Sequence, residues 1–149
     1  MQSLFEAPAK SEILQRLSSL SPEAQRQWGK MTVSQMLAHC AVALESGTGD
    51  KPRPQRFIGK VFAPFVRKGL LGDRPFSKGS PTDPTFVMRD ERDFTRERER
   101  LVGLVERFCA RGRDEARKQT HSFFGRMSGD EWGRLMYKHL DHHLKQFGG

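Results

Sequence analysis

Residues 128–147 read SGDEWGRLMYKHLDHHLKQF, and this stretch predicts the helix around which the rest of the chain is organised. Ser128, followed three residues later by Glu131, is the capping-box pattern of a helix N-terminus. Gly148 and Gly149 predict where the helix ends. Three of the five histidines of the protein lie within this one helix. Whether each of them points toward the core or toward water depends on which face of the helix it occupies.

A helical wheel places two of these histidines on the apolar face. At about 100° per residue, His143 lies about 40° from His139, and Gln146 lies about 20° away on the other side. Apolar side chains share this arc, namely Trp132, Leu135 and Met136. Charged side chains occupy the opposite side and are predicted to face water, namely Arg134, Lys138, Asp141 and Lys145.

The pair His139 and His143 has the geometry of half a metal site. Two imidazoles one helical turn apart on an inward face can bind a transition metal together. The same pair is also compatible with two hydrogen-bonded core or interface residues. A third ligand from another part of the chain is needed to decide between these interpretations.

Composition and length limit the class of protein. With 149 residues, 36% of them hydrophobic and 30% charged, the sequence predicts one globular domain over residues 1–149. No apolar run approaches the roughly 18–20 residues of a membrane span, and the N-terminus lacks the features of a signal peptide. The two cysteines, Cys40 and Cys109, are too few for a disulfide framework. They predict reduced thiols and a cytoplasmic location.

The net charge of +8 is compatible with binding of nucleic acid or anionic substrates. However, the basic residues are spread from Arg16 to Lys145, and many alternate with acids, as in residues 89–100. That run is typical of a solvated helix face with pairs of opposite charge one turn apart. Charge therefore gives little support to a nucleic-acid binder.

The first third of the chain predicts three helices. Ser11 is the expected cap of the first, and Pro22 begins a second short helix that runs to about Trp28. Thr32 caps a clear helix that runs from residue 33 to about residue 45. His39 lies on the apolar arc of this helix and is expected to point toward the core or its edge.

The middle of the chain is less regular. Residues 57–71 have helical spacing, but Pro64 is expected to kink or divide that helix. Residues 72–85 are rich in proline and glycine and predict a long irregular connection, a lid or a crossover. Asp93 or Asp90 begins the next long helix, which ends at about Arg111 before Gly112, and residues 113–127 form a connector. With no convincing sheet, the predicted fold is all-α, with four substantial helices and extra short ones.

Two blocks of this sequence resemble a known family. They are WGKMTVSQMLAHC, residues 28–40, and residues 121–148, which include the His-x-x-x-His-x-x-Gln ending from His139 to Gln146. Over nearly the whole chain the sequence resembles the DinB/YfiT-like superfamily of metalloenzymes, in a branch catalogued as a domain of unknown function. The resemblance implies a four-helix bundle with long connections, often dimeric. It also implies a divalent metal held by His39, His139 and His143, the same three residues that the wheels place inward.

Three histidine ligands would leave coordination positions open, as in a catalytic site. The sequence leaves the metal undetermined among zinc, nickel, iron and manganese. Relatives in the superfamily include transferases and isomerases that use low-molecular-weight thiols, which makes a thiol-containing small molecule the candidate substrate. The leading hypothesis is a metal-dependent thiol transferase or hydrolase. The alternative is a non-catalytic helical binding module that recruits a partner and has a vestigial metal site; the homodimer is implied by the resemblance in either case.

Four further residues are candidates for roles around this site. Gln146 and Gln35, each one turn from a predicted ligand, are candidates for hydrogen bonding to the ligand histidines. His142 is about 60° off the face of the pair and is expected at the surface or against a neighbouring helix. His121, in the connector, is a weak candidate for an acid or base and a better one for anchoring its loop.

Overall fold

The computed structural model describes residues 2–72, 74–80 and 82–149. Asp73 and Pro81, two positions of the predicted irregular connection, lie outside the described residues. The described part contains five α-helices and one two-stranded sheet, so the protein is mainly helical. The helices are α1 (Ala7–Ser19), α2 (Val33–Thr48), α3 (Phe57–Leu71), α4 (Phe94–Ala116) and α5 (Gly129–Gln146). The strands are β1 (Thr120–His121) and β2 (Gly125–Arg126), and a 3-10 helix spans Pro84–Phe86.

The N-terminal region differs from the prediction in two ways. Helix α1 begins at Ala7 with a proline in its first turn, so Ser11 lies inside the helix and the expected cap is wrong. The second short helix, from Pro22 to Trp28, is also wrong, because these residues form turns and irregular structure. A segment this short has no apolar stripe with which to offset the cost of starting a helix. Its backbone bonds elsewhere instead, with Gln27 N donating to the carbonyl of Gln146 at 2.7 Å.

Helix α2 begins where its sequence predicts and ends slightly later. Thr32 accepts from Gln35 N, and the Gln35 side chain accepts from Thr32 N, which forms a complete capping box. The helix continues to Thr48, three residues beyond the predicted end, where Gly49 adopts the left-handed conformation with φ of 78°. Almost every residue from Met36 onward is buried, so α2 lies at the centre of the fold.

Helix α3 is continuous through Pro64, so the predicted division does not occur. The helix packs against α5 and against the loop between the two strands. A Cβ added at Gly59 would lie only 2.3 Å from the carbonyl oxygen of Phe123, so glycine permits this close approach. Helix α3 thus lies on the outside of the molecule.

Helices α4 and α5 begin where the sequence predicts, but α4 extends to Ala116, five residues beyond its predicted end. Asp93 caps α4, accepting from Arg96 N at 2.7 Å. Gly112, with φ of 76°, interrupts the helical conformation there, but one more turn follows it. The connector contains the short antiparallel pair β1 and β2, which the sequence did not predict. Ser128 and Glu131 form the expected capping box at the start of α5.

Helices α1, α2, α4 and α5 contact one another and contribute to one hydrophobic core. Its largest fully buried side chains include Trp132 of α5, Phe108 of α4 and Leu37 of α2. Because α2 contacts both α4 and α5, the inward face of α2 meets the inward face of α5. None of the described helices has the length and apolar character needed to cross a bilayer.

Lys138 corrects the predicted helix wheel of α5. The sequence places it among the water-facing charges, but the structure leaves it only 8% exposed. Its ammonium group donates to the carbonyl oxygens of Leu70 and Gly72, at 2.8 and 3.0 Å, where α3 ends. The outer face of α5 is therefore partly covered by α3, which a wheel of α5 alone does not reveal.

Candidate metal centre

Helix α2 contributes the most buried of the site histidines. His39 is 3% exposed, and its Nδ1 lies 2.9 Å from the carbonyl oxygen of Phe86 in the 3-10 helix. A carbonyl oxygen only accepts, so Nδ1 carries the proton and donates this bond. The other ring nitrogen, Nε2, is then unprotonated and can bind a cation.

Helix α5 places its two inward histidines directly opposite. His39 Nε2 lies 3.0 Å from Nε2 of His139, a distance at which two nitrogens share either one proton or one cation. One ligand nitrogen from each of His39, His139 and His143 can be chosen so that all three lie within 4.8 Å of one another. Metal–nitrogen bonds of about 2.1 Å require separations of about 3–4 Å. The 3.0 Å separation of His39 and His139 is at the short end of that range, whereas the limit of 4.8 Å for the whole set is wider than the range.

His143 is oriented by a neighbour one turn further along α5. Its Nδ1 lies 2.9 Å from Oε1 of Gln146, which assigns the proton to Nδ1 and leaves Nε2 available as a ligand. Gln146 is itself held, because its Nε2 donates to the carbonyl oxygen of Trp28 at 2.7 Å. Gly29 makes this contact possible. Its φ is 78°, and a Cβ there would lie 2.5 Å from the Gln146 amide nitrogen.

The surroundings keep all three imidazoles neutral. Burial, with smaller contributions from nearby His39 and His142, lowers the pKa of His143 to about 3 despite the opposing hydrogen bond to Gln146. Burial also holds the pKa of His139 well below its ordinary value, with the neighbouring histidines acting in the same direction. The pKa of His39 is lowered by burial, partly offset by its bond to Phe86. Neutral imidazole is the form that binds metal ions.

These residues fit a transition metal ion. Three unprotonated nitrogens can converge on one point, and for His39 and His143 the second ring nitrogen bonds an oxygen that fixes the tautomer and ring orientation. Metal-binding histidines almost always have such a partner. No acidic side chain joins the three histidines in this cluster among the described residues. The set of nitrogen donors suits zinc, nickel or iron better than manganese, magnesium or calcium.

The other predicted participants are placed differently. Gln35 uses its side chain in the α2 capping box and in a 3.0 Å bond to the carbonyl oxygen of Asp90, whereas the partner of His39 is Phe86. His142 is half-buried beside the cluster, with its ring 5.5 Å from that of Trp28 and 5.9 Å from that of Phe76. It lies in an aromatic rim outside the three-histidine group.

His121 anchors the turn between β1 and β2. Its Nδ1 accepts from the backbone N–H groups of Phe123 and Phe124, at 3.1 and 3.2 Å. The ring packs 5.5 Å from that of Trp132. Burial lowers the pKa of His121 to about 4, with Asp83 opposing this shift and Arg67 adding to it. Both hydrogen bonds require Nδ1 to remain unprotonated.

Phe86 and Trp28 were missed as parts of the site, and both act through backbone carbonyls. Every residue has such a carbonyl, so neither side chain signals this role. Two surface cavities, of about 460 and 370 Å³, are lined by residues of α1 with the C-terminus and by residues 52–54 with 118–120. Neither lining, within the described residues, includes any of the three histidines.

The chain belongs to the family described as a protein of unknown function, DUF1569, whose model matches residues 2–148. This agrees with the resemblance to a domain of unknown function. No curated protein and no solved structure matches the chain.

Proposed function

We propose that this protein is a metal-dependent enzyme in which His39, His139 and His143 hold one divalent transition metal ion. The observation that carries the proposal is the convergence of three ring nitrogens, from two separate helices, within 4.8 Å. When bound, such an ion supplies a Lewis-acid centre that acidifies a water or thiol ligand or polarises a carbonyl. The protein contributes neutral ligands, their orientation by Phe86 and Gln146, and a largely water-excluded surrounding.

Metal uptake tests this proposal directly. The purified protein is stripped with a chelator, reloaded with zinc, nickel, iron or manganese in turn, and its metal content is measured by mass spectrometry. About one ion per chain is expected for at least one of these metals.

His143→Ala should lose the ion and keep its helical circular dichroism, because His143 lies at the edge of the core. His142→Ala, which changes the neighbouring histidine, is the matched control and should retain the ion. Folded wild-type protein that takes up none of the four metals would overturn the proposal.

The finer features of the proposal rest on the resemblance to the DinB/YfiT-like superfamily. They are a four-helix bundle formed by α1, α2, α4 and α5, a homodimer, and a thiol-containing small-molecule substrate used in a transfer or hydrolysis reaction. The packing of these four helices around one core supports the first. The open coordination positions of a three-histidine site support a substrate that binds through sulfur or oxygen.

A non-catalytic binding module is the second candidate, favoured by the burial of the cluster. His39 is only 3% exposed, as expected if no substrate reaches the histidines. Cobalt substitution distinguishes the two candidates, because the visible spectrum of Co²⁺ responds to its ligands. Addition of azide should change the spectrum if an open coordination position is accessible. An unchanged spectrum would favour the non-catalytic module.

A further inference from the structure

Helix α3 carries a continuous apolar face that points away from the protein. Six of its large apolar side chains are exposed, namely Phe57, Ile58, Val61, Phe62, Phe65 and Val66. Phe57 is 80% and Phe65 83% exposed, values unusual for phenylalanine in a folded chain. With side chains of about 200 Å² each, the three phenylalanines alone expose roughly 400 Å². A contiguous patch of this size marks an interaction surface.

The opposite face of α3 is firmly docked, which fixes the direction of the apolar face. Ala63 is buried, and Gly59 lies against the backbone of Phe123. Arg67 forms a two-pronged ion pair with Glu131 and also donates to the carbonyl oxygens of Phe124 and Arg126. The helix cannot turn its phenylalanines inward without breaking these contacts.

The charge of the protein is concentrated around the same helix. Residues 51–80 contain eight Lys or Arg and a single Asp, a net charge of +7 out of the total of +8. Basic residues are spread along the chain, but outside this segment acids balance them almost completely. Lys60 and Lys68 are exposed on one flank of the apolar face, two turns apart. Among the described residues of α3, the ion pair with an acidic side chain is formed by Arg67 with Glu131, and not by either lysine.

We propose that α3 is a docking helix for the surface of an anionic lipid bilayer. Its phenylalanines would enter the boundary between head groups and acyl chains, and Lys60 and Lys68 would reach the lipid phosphates. An amphipathic helix with phenylalanine on one face and basic residues beside it binds such surfaces by both forces. The face is convex, so it needs no complementary groove. A second copy of the chain fits less well, because α3 against α3 brings together two segments of net charge +7.

Vesicle flotation tests this proposal, which is independent of the metal site. Full-length protein is mixed with vesicles of phosphatidylcholine alone or with about one third phosphatidylserine, in low and high salt. Binding is expected to the anionic vesicles at low salt and to weaken at high salt, because screening shortens the range of the lysine–phosphate attraction.

Three double variants separate the contribution of the phenylalanine rings to vesicle binding from that of the lysine charges. Phe57→Ser with Phe65→Ser should abolish flotation, since it removes the two most exposed rings. These side chains lie outside the core, and circular dichroism verifies folding. Lys60→Gln with Lys68→Gln should weaken binding about twenty-fivefold, at roughly fivefold per lysine. Arg89→Gln with Arg96→Gln removes the same charge near the start of α4 and should change binding much less.

The oligomeric state tests the competing explanation, in which the apolar face of α3 binds a second copy of the chain. Light scattering after gel filtration measures the mass of the wild type and of the double phenylalanine variant. A wild-type dimer that the double phenylalanine variant converts to a monomer, without vesicle binding, would assign α3 to self-association and overturn the proposal. Absence of flotation, or flotation equal for all variants, would also overturn it.

Discussion

Gln146 is the side chain that connects the candidate metal centre to the N-terminal region, because it bonds His143 on one side and the Trp28 carbonyl on the other. Gln146→Ala should weaken metal affinity 10–100-fold, the usual cost of removing a hydrogen-bond partner of a ligand histidine. Competition with a chromophoric chelator measures this change. Gln35→Ala is the matched control. It removes a capping side chain of α2 and should cost about 1 kcal/mol of stability with little change in affinity. Equal loss of affinity in both variants would contradict this assignment.

His121 should make the protein less stable in acid. Its pKa is about 4 in the folded protein against 6.5 as the ordinary value, so the unfolded chain binds more protons between these pH values. His121 therefore contributes about 3 kcal/mol of stability that is present above about pH 6.5 and is lost as the pH falls to about 4. The buried His39, His139 and His143, whose pKa values are also lowered, add losses of the same sign. Urea unfolding at several pH values measures this loss.

His121→Asn removes the titrating group and serves as the comparison. Its unfolding free energy should fall less steeply between pH 6.5 and 4, by up to one proton's contribution of about 1.4 kcal/mol per pH unit. Parallel pH profiles for wild type and variant would show that His121 is not responsible for the acid sensitivity.

At the scale of elements, Lys138 attaches the C-terminal end of α3 to α5 through hydrogen bonds. Its ammonium group binds the carbonyl oxygens at the end of α3 and lies 4.5 Å from the centre of the Phe76 ring. Lys138→Met keeps the apolar length of the side chain and removes these hydrogen bonds. We expect faster amide hydrogen exchange in residues 57–71 and a loss of about 1–3 kcal/mol in unfolding free energy. Lys145→Met, on the exposed side of α5, should change stability by less than about 0.5 kcal/mol.

The elements also differ in how far neighbouring residues, rather than distant segments, determine their structure. Helices α2 and α5 have capping boxes, apolar stripes and terminal glycines, so their boundaries follow from neighbouring residues. The short β1–β2 pair and the irregular course of residues 22–28 depend on contacts with distant segments. The bond from Gln27 to Gln146 and the anchoring of the strand turn by His121 are two such contacts.

At the scale of the whole molecule, metal binding should stabilise the fold, since the ligands come from both α2 and α5. A metal present at 100 times its dissociation constant adds about 2.7 kcal/mol. For a chain of this length that corresponds to a rise of roughly 5–10 °C in Tm. Calorimetry with and without the metal measures it. His143→Ala should show no rise, and His142→Ala should show the full rise. A rise of the same size in both variants would mean that the metal binds elsewhere.

The sequence by itself determined the mainly helical class, the start of each of the two site helices, and the inward direction of His39, His139 and His143. These follow from local capping and from a 3.6-residue period, which a single segment contains completely. The resemblance added the expectation that the three histidines meet. Only the tertiary structure decided what surrounds them, because the Phe86 and Trp28 carbonyls are backbone groups that their side chains do not identify. Tertiary packing likewise buried Lys138 under α3 and left the phenylalanines of α3 outward. Which face of a helix is covered depends on the neighbour that covers it.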